Sequence, residues 1–289
     1  MNIWLGIKRG YLTDWITQVW VRITGKKIDL KNEPWLLGPF GDTNIIGADF
    51  YNMFAARENL DVEINSPKSG LLKDLNVLLN NSPKSINEKI IDFYQQTVNY
   101  SFEVWSQWSG VFKPFGWLLA KIFSLRLQQL NVPLSPMDTS RGITSDIVML
   151  KDKYTGEAKY RIWLRKKTSS KDVIYAGFYT WCKPPKVAYN CIKVIFPLPN
   201  GNATVIMKPE IKSDGSLILI SAGNGIGYPG FYFILRKSDD AYYIRYVKTM
   251  RESIHVYEDE NGCLRTDHIL TIWKRNFLKL HYKILQKKY

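Results

Sequence analysis

Arg251-Glu252-Ser253-Ile254-His255-Val256-Tyr257-Glu258-Asp259-Glu260-Asn261-Gly262-Cys263-Leu264-Arg265-Thr266-Asp267-His268-Ile269-Leu270 carries the topology of the C-terminal half of this chain. Polar and apolar residues alternate on both sides of Asn261-Gly262, and a period of two sends successive side chains to opposite faces of a strand. Asn-Gly is a strong hairpin signal, because a type I′ turn needs positive φ at both central residues. As a two-residue turn it sets Glu258 opposite Arg265, Ile254 opposite Ile269 and His255 opposite His268. With Lys274-Arg275-Asn276 as the next loop, Asp267 meets Lys283, Leu270 meets Leu280 and His268 meets Tyr282. Opposite charges pair and apolar residues pair, as cross-strand stability requires.

Register fixes faces. One face of these three strands then carries Arg251, Ser253, His255, Tyr257, Thr266, His268, Leu270 and Tyr282; the other carries Glu252, Glu258, Arg265, Asp267, Lys279, His281 and Lys283 and is the solvated one. The first face is expected to point inward, as are Tyr160, Ile162 and Leu164 across from Lys159, Arg161 and Arg165, and Phe231, Phe233 and Leu235. Two His, two Tyr, a Ser and an Arg are more polar groups than a dry core accepts, since each needs a buried partner. A partly hydrated cavity is therefore expected, with Arg251, Ser253, His255, Tyr257, His268 and Tyr282 at the polar end of a ligand.

Upstream the alternation continues. Asn200-Gly201 and Asp214-Gly215 are further hairpin signals, and about eleven strands fall between residues 146 and 285. Antiparallel strands joined mostly by tight hairpins resemble, at fold level, an up-and-down barrel of the lipocalin kind, which implies an interior able to hold one small ligand. A helix-grip layout is the alternative, because Ile269, Trp273, Phe277, Leu280 and Ile284 also fit helical spacing over Thr266 to Leu285. The charge pairing favours strands.

Residues 1–143 read as a mainly α-helical region packed on an antiparallel β-barrel or strongly curved sheet of residues 144–289, an α+β chain joined through Pro133-Leu134-Ser135-Pro136. Ser85-Ile86-Asn87-Glu88 has the form of a capping box, and Ile86, Ile90, Phe93, Thr97, Tyr100, Val104 and Trp108 follow at helical steps. Further helices are expected at Trp117 to Leu130, at Leu71 to Leu79, at Ala48 to Glu58, and at Thr13 to Ile23 with Trp15, Val19 and Ile23 inward. Pro34 to Gly47 reads as a loop that packs by its large side chains, and Arg141 as closing the barrel edge.

The 289 residues suffice for a core without disulfides or metal. The first nine residues lack the order of a secretory signal, and Val111 to Leu127 is broken by Lys113, Pro114, Lys121 and Arg126, too short for a spanning helix. Three cysteines, without a ligand spacing, suit a reducing, cytoplasmic setting and no zinc. The net charge of +14 is uneven: residues 1–144 carry 15 basic and 13 acidic side chains, and 145–289 carry 25 and 13. An anionic small ligand or an anionic membrane surface fits that field; a nucleic acid is the weaker match, since no recognition motif accompanies it. Gly223-Asn224-Gly225-Ile226-Gly227 opens no helix and so is not a dinucleotide fingerprint; it reads as a flexible loop at the cavity mouth. Cys182 and Cys191 flank a short loop and lack an evident base.

The leading expectation is a cytoplasmic binding protein for an apolar or anionic amphipathic small molecule. An isomerase, lyase or hydrolase using His255 or His268 as general base is the alternative, and a peripheral membrane or interaction module built on the Trp-rich segment Val104 to Leu130 is a third.

Overall fold

The structure, a computed structural model, describes residues 12–41, 46, 49–79, 83–114, 143–168, 173–238 and 241–287. Among the described residues three α-helices, α1 (Leu12–Thr24), α2 (Phe50–Arg57) and α3 (Glu88–Gln95), accompany fourteen strands. Those of the N-terminal part are β1 (Lys26–Ile28), β2 (Leu60–Ile64) and β3 (Tyr100–Trp108). They are followed by β4 (Ile143–Asp152), β5 (Ala158–Lys167), β6 (Val173–Cys182), β7 (Cys191–Leu198), β8 (Gly201–Ile211), β9 (Leu217–Ile220), β10 (Gly230–Ser238), β11 (Ala241–Tyr246), β12 (Met250–Glu258), β13 (Leu264–Ile272) and β14 (Arg275–Gln286). The chain is a sheet-rich α+β fold, and all eleven expected C-terminal strands are present. Residues 264–286 are two strands, which removes the helix-grip alternative.

Every strand pair is antiparallel, in the order β2-β4-β5-β6-β7-β8-β9-β12-β13-β14-β3. The first part of β8 also pairs with β10, which carries β11 and then β1, while its last residues pair with β9. The sheet is not closed: the hydrogen-bonded path ends at β2 on one side and β3 on the other. β1, β2 and β3 belong to this same sheet, so it crosses the boundary near residue 143 that the sequence suggested.

The largest change from expectation lies between Ser85 and Trp108. α3 starts later, at Glu88, because Asn87 rather than Ser85 is the cap: its side-chain oxygen accepts the Lys89 N–H at 2.8 Å. It stops at Gln95, where the β-branched pair Thr97-Val98 follows and the Thr97 hydroxyl donates to the Phe93 carbonyl at 2.7 Å. Tyr100, Phe102, Val104 and Ser106 are then buried while Ser101, Glu103, Trp105 and Gln107 are exposed, a strict period of two. The helical steps through Tyr100, Val104 and Trp108 were a coincidence of even numbers; with β14 waiting alongside, the strand wins the backbone hydrogen bonds. This also removes the Trp-rich helix from Val104 to Trp108; its continuation over Trp117 to Leu130, like Arg141, lies outside the described residues. Leu71 to Leu79 holds only a 3₁₀ turn, Asn76–Leu78. α1 forms as expected but turns a different face inward: Val21, Asp14 and Gln18 are buried, and Ile23 is 74% exposed.

The hairpin between β12 and β13 shifts the face on which the sequence reading depended. Of Asn261 and Gly262 only Gly262 has positive φ, +74°, so no type I′ turn forms. The Asp259 carboxylate instead accepts the N–H groups of Asn261 and Cys263, at 3.0 and 2.9 Å, and the Asp259 N–H donates to the Cys263 carbonyl. The loop is therefore three residues long, and Glu258 faces Leu264, Ile254 faces His268 and His255 faces Asp267. That is one residue away from the expected register, which turns every side chain of β12 over. The next turn differs too, with Trp273 and Lys274 at φ +48° and +65° forming its two central residues. Here Arg265 faces Lys283 and Leu270 faces Leu278, a shift of two residues that leaves the faces of β13 and β14 as expected.

β5 is buried on both sides. Ile162 and Leu164, with Tyr160, pack against Phe50 and Phe54 of α2 and Phe178 of β6, not into the interior of the sheet. Arg161, Trp163 and Arg165 take the opposite face.

Candidate functional site

Side chains from β3, β5 to β10 and β12 to β14, with α1 and α3, line one cavity of about 800 Å³. Its walls are mainly apolar: Val194 and Phe196 of β7, Val205 and Met207 of β8, Leu219 of β9, Phe231 and Phe233 of β10. β12 contributes Glu252, Ile254 and Val256, β13 Thr266, His268 and Leu270, and β14 Leu278, Leu280, Tyr282 and Ile284.

Of the six residues expected at the ligand's polar end, the structure brings His268 and Tyr282 into the cavity, with ring centroids 6.5 Å apart and planes 22° from parallel. Arg251, Ser253, His255 and Tyr257 are turned to the opposite face by the three-residue loop, and Glu252, Ile254 and Val256 stand in their place. On that outer face His255 Nε2 is 3.0 Å from the Ser216 hydroxyl, its ring 4.8 Å from that of Tyr257. His281 Nδ1 lies 2.6 Å from Asp267 on the same face, as expected of a solvated surface.

The polar centre of the cavity is a residue assigned above to a solvated face. Arg165 is 2% exposed, and its guanidinium lies 5.1 Å from the Trp163 ring centroid, 5.2 Å from Tyr282, 5.3 Å from Phe102 and 5.9 Å from Tyr175. Such cation–π contacts compensate part of a desolvated positive charge. Burial disfavours that charge, but Tyr175 and Tyr282 outweigh it, and the group is held above its ordinary pKa. Nε and Nη2 of Arg165 have no hydrogen-bond partner. Burial also pushes the Tyr175, Tyr179 and Tyr282 hydroxyls up, so all three remain protonated donors at neutral pH. The Glu252 carboxylate lies against His268 Nε2. The one sequence signal for Arg165 was Trp163 between Arg161 and Arg165: large apolar residues in both parities of one strand mark burial on both faces.

The glycine-rich segment before β10 does not line this cavity. It is tied down by two phenols: Tyr232 donates to the carbonyls of Gly225 and Tyr228, and Tyr246 to that of Gly223 at 2.8 Å. Gly230, at φ +150°, is where glycine is required, since a Cβ would stand 2.3 Å from the Tyr246 ring. Cys182 and Cys191 face each other across β6 and β7 as free, buried thiols, and burial pushes Cys182 up to about 12. Neither carries a reactive thiolate at neutral pH. Among the described residues no cluster of three or more His, Cys, Asp or Glu is placed to hold a metal.

The chain is similar to a protein of Bacillus subtilis (strain 168) named "Uncharacterized membrane protein YndJ", with 26% identity over 230 residues, 78% of this chain. It spans 40% of that relative's length. No family model matches the chain, and no solved structure does. Among the described residues no helix is long and apolar enough to cross a membrane.

Proposed function

We propose that this chain holds an apolar or amphipathic small molecule inside its curved sheet, which acts as the wall of a barrel although its two ends are not hydrogen-bonded. The carrying observation is the cavity of about 800 Å³ with mainly apolar walls and a few convergent polar groups. That is the size and character of small-molecule sites, which run from about 300 to 1,000 Å³. The similar Bacillus protein is named a membrane protein, and a bilayer is a ready source of amphipathic molecules. The test is native mass spectrometry of gently purified protein against its denatured mass, with extraction of whatever is released. A retained apolar or amphipathic molecule, lost in the cavity-filling variant Leu219→Trp, supports the reading. A clean apo mass together with no binding of an apolar fluorescent probe overturns it.

A second reading rests on Glu252 against His268 within the cavity. A carboxylate holding an imidazole is the arrangement of a general base, and a bound carbonyl or ester could then turn over. Turnover of the extracted molecule, abolished by His268→Phe and retained by His255→Phe, separates catalysis from binding alone.

A further inference from the structure

Resting on the cavity reading above, we propose that Arg165, with the hydroxyls of Tyr175 and Tyr282, receives the carboxylate of a single-chain, monoanionic amphiphile whose hydrocarbon tail fills the apolar remainder of the cavity.

Stability alone does not account for the two unsatisfied donors of Arg165. Among the described residues no carboxylate lies within salt-bridge distance of it, and two of its nitrogens, Nε and Nη2, lack any hydrogen-bond partner at 2% exposure. The four surrounding rings offer π faces that soften the charge, and the Tyr175 and Tyr282 hydroxyls are hydrogen-bonded to the guanidinium, but none of them brings a negative charge to Nε and Nη2. Nε and Nη2 are buried N–H donors left without an acceptor, each at the cost of its lost hydration, and an arriving anion supplies the acceptor. Nε and Nη2 share one edge of the guanidinium, the edge that matches both oxygens of a carboxylate in parallel bonds. The protonated Tyr175 and Tyr282 beside it supply further donors.

Charge count limits the head group. Glu252 lines the same cavity against His268, so a dianionic phosphate beside Arg165 would also face a carboxylate, whereas one negative charge meets one guanidinium. Elsewhere in the wall Val194, Phe196, Val205, Met207, Leu219 and Phe231 offer an alkyl chain apolar contact surface.

The experiment is displacement of an apolar fluorescent probe from the full chain by palmitic acid, cetyl alcohol and cetyl phosphate, which share a tail and differ in head. The acid is expected to compete at about ten- to a hundredfold lower concentration than the alcohol, the range of hydrogen bonds to a charged group. Arg165→Met should erase that preference and leave the alcohol unchanged, and Tyr282→Phe should reduce it in part. Should Arg165→Met fail to fold, Arg165→Lys keeps the charge, loses the planar fork and must lower the acid-to-alcohol ratio. Equal binding of acid and alcohol by the native chain, or a preference that survives Arg165→Met, overturns the head-group assignment while the cavity reading stands. Tighter binding of the phosphate overturns the carboxylate in favour of a phosphate head. Failure of all three compounds and of the probe overturns the cavity reading itself.

Discussion

The Arg165 guanidinium of β5 sits 5.2 Å from the ring centroid of Tyr282 on β14, although the two strands lie near opposite ends of the hydrogen-bonded sheet. Phe102 of β3 adds to the same bridge, its ring 5.1 Å from that of Trp163 and 5.8 Å from that of Phe93. No ladder joins β3 to β4, so in this part of the wall side chains do what backbone pairing does elsewhere. An internal cation and its aromatic shell thus serve both as a polar pole for a guest and as the fastening of the sheet.

Removing the fastening should be costly. Phe102→Ala deletes a buried ring that touches Phe93, Trp163 and Arg165, and a loss of about 3 to 5 kcal/mol is expected. Urea denaturation followed by Trp fluorescence measures it; a loss below about 1 kcal/mol would show that the contacts between the sheet's ends carry little.

Lys274 is held at φ +65° in the two-residue turn between β13 and β14, a conformation that strains any residue with a Cβ. Lys274→Gly relieves that strain and loses some unfolded-state advantage, for a net gain of about 0.5 to 1 kcal/mol. A higher thermal midpoint with unchanged probe binding is the expected result, and a lower midpoint contradicts it.

Asp152 is the clearest acid-sensitive contact. Lys159 at 2.6 Å, aided by the N–H groups of Thr155 and Tyr154, lowers its carboxyl from the ordinary 3.8 to about 2. The folded pKa lies below the unfolded one, so the stabilising contribution is complete above 3.8 and is lost as the pH falls towards about 2. Carboxyl NMR titration should find the low value, and Lys159→Met should move it back up; an Asp152 that titrates near 4 in the native chain would show the pair to be unformed.

The register makes opposite demands on two histidines. His255→Phe alters the outer face and should leave probe and fatty-acid binding within about twofold, well under the roughly 1.5 to 3 kcal/mol of a bond to a charged group. His268→Phe strips Glu252 of its partner inside the cavity and should weaken the acid more than the alcohol. Competition assays on both variants decide it, and the reverse pattern would place β12 the other way round.

How far these features were legible in the sequence depends on what each required. Strands bounded by turn residues were legible as β4 to β14, because alternation and Gly-containing turns are local. The faces were not, because they turn on a loop of two residues or three, and here a side chain decided: the Asp259 carboxylate captured the N–H groups of Asn261 and Cys263. β3 was hidden because Tyr100, Val104 and Trp108 satisfy both periods, and only the long-range pairing with β14 selects one. Arg165 was misplaced because Tyr160, Ile162 and Leu164 do form an apolar face, but the face that meets α2. The inward pair His268 and Tyr282 was legible, since the error in their mutual register was even.

The turn held by Asp259 has a consequence for how such a pocket can change. Glu260 and Asn261 are exposed, and the turn contributes nothing to the cavity. Yet losing one residue there would exchange Glu252, Ile254 and Val256 for Arg251, Ser253 and His255 along a whole wall. An acidic and aliphatic lining would become a basic and hydroxylic one in a single step, with no lining codon altered. The length of this exterior loop is thus a specificity dial, and Asp259, braced by Arg265 at 2.8 Å, is the catch that sets it.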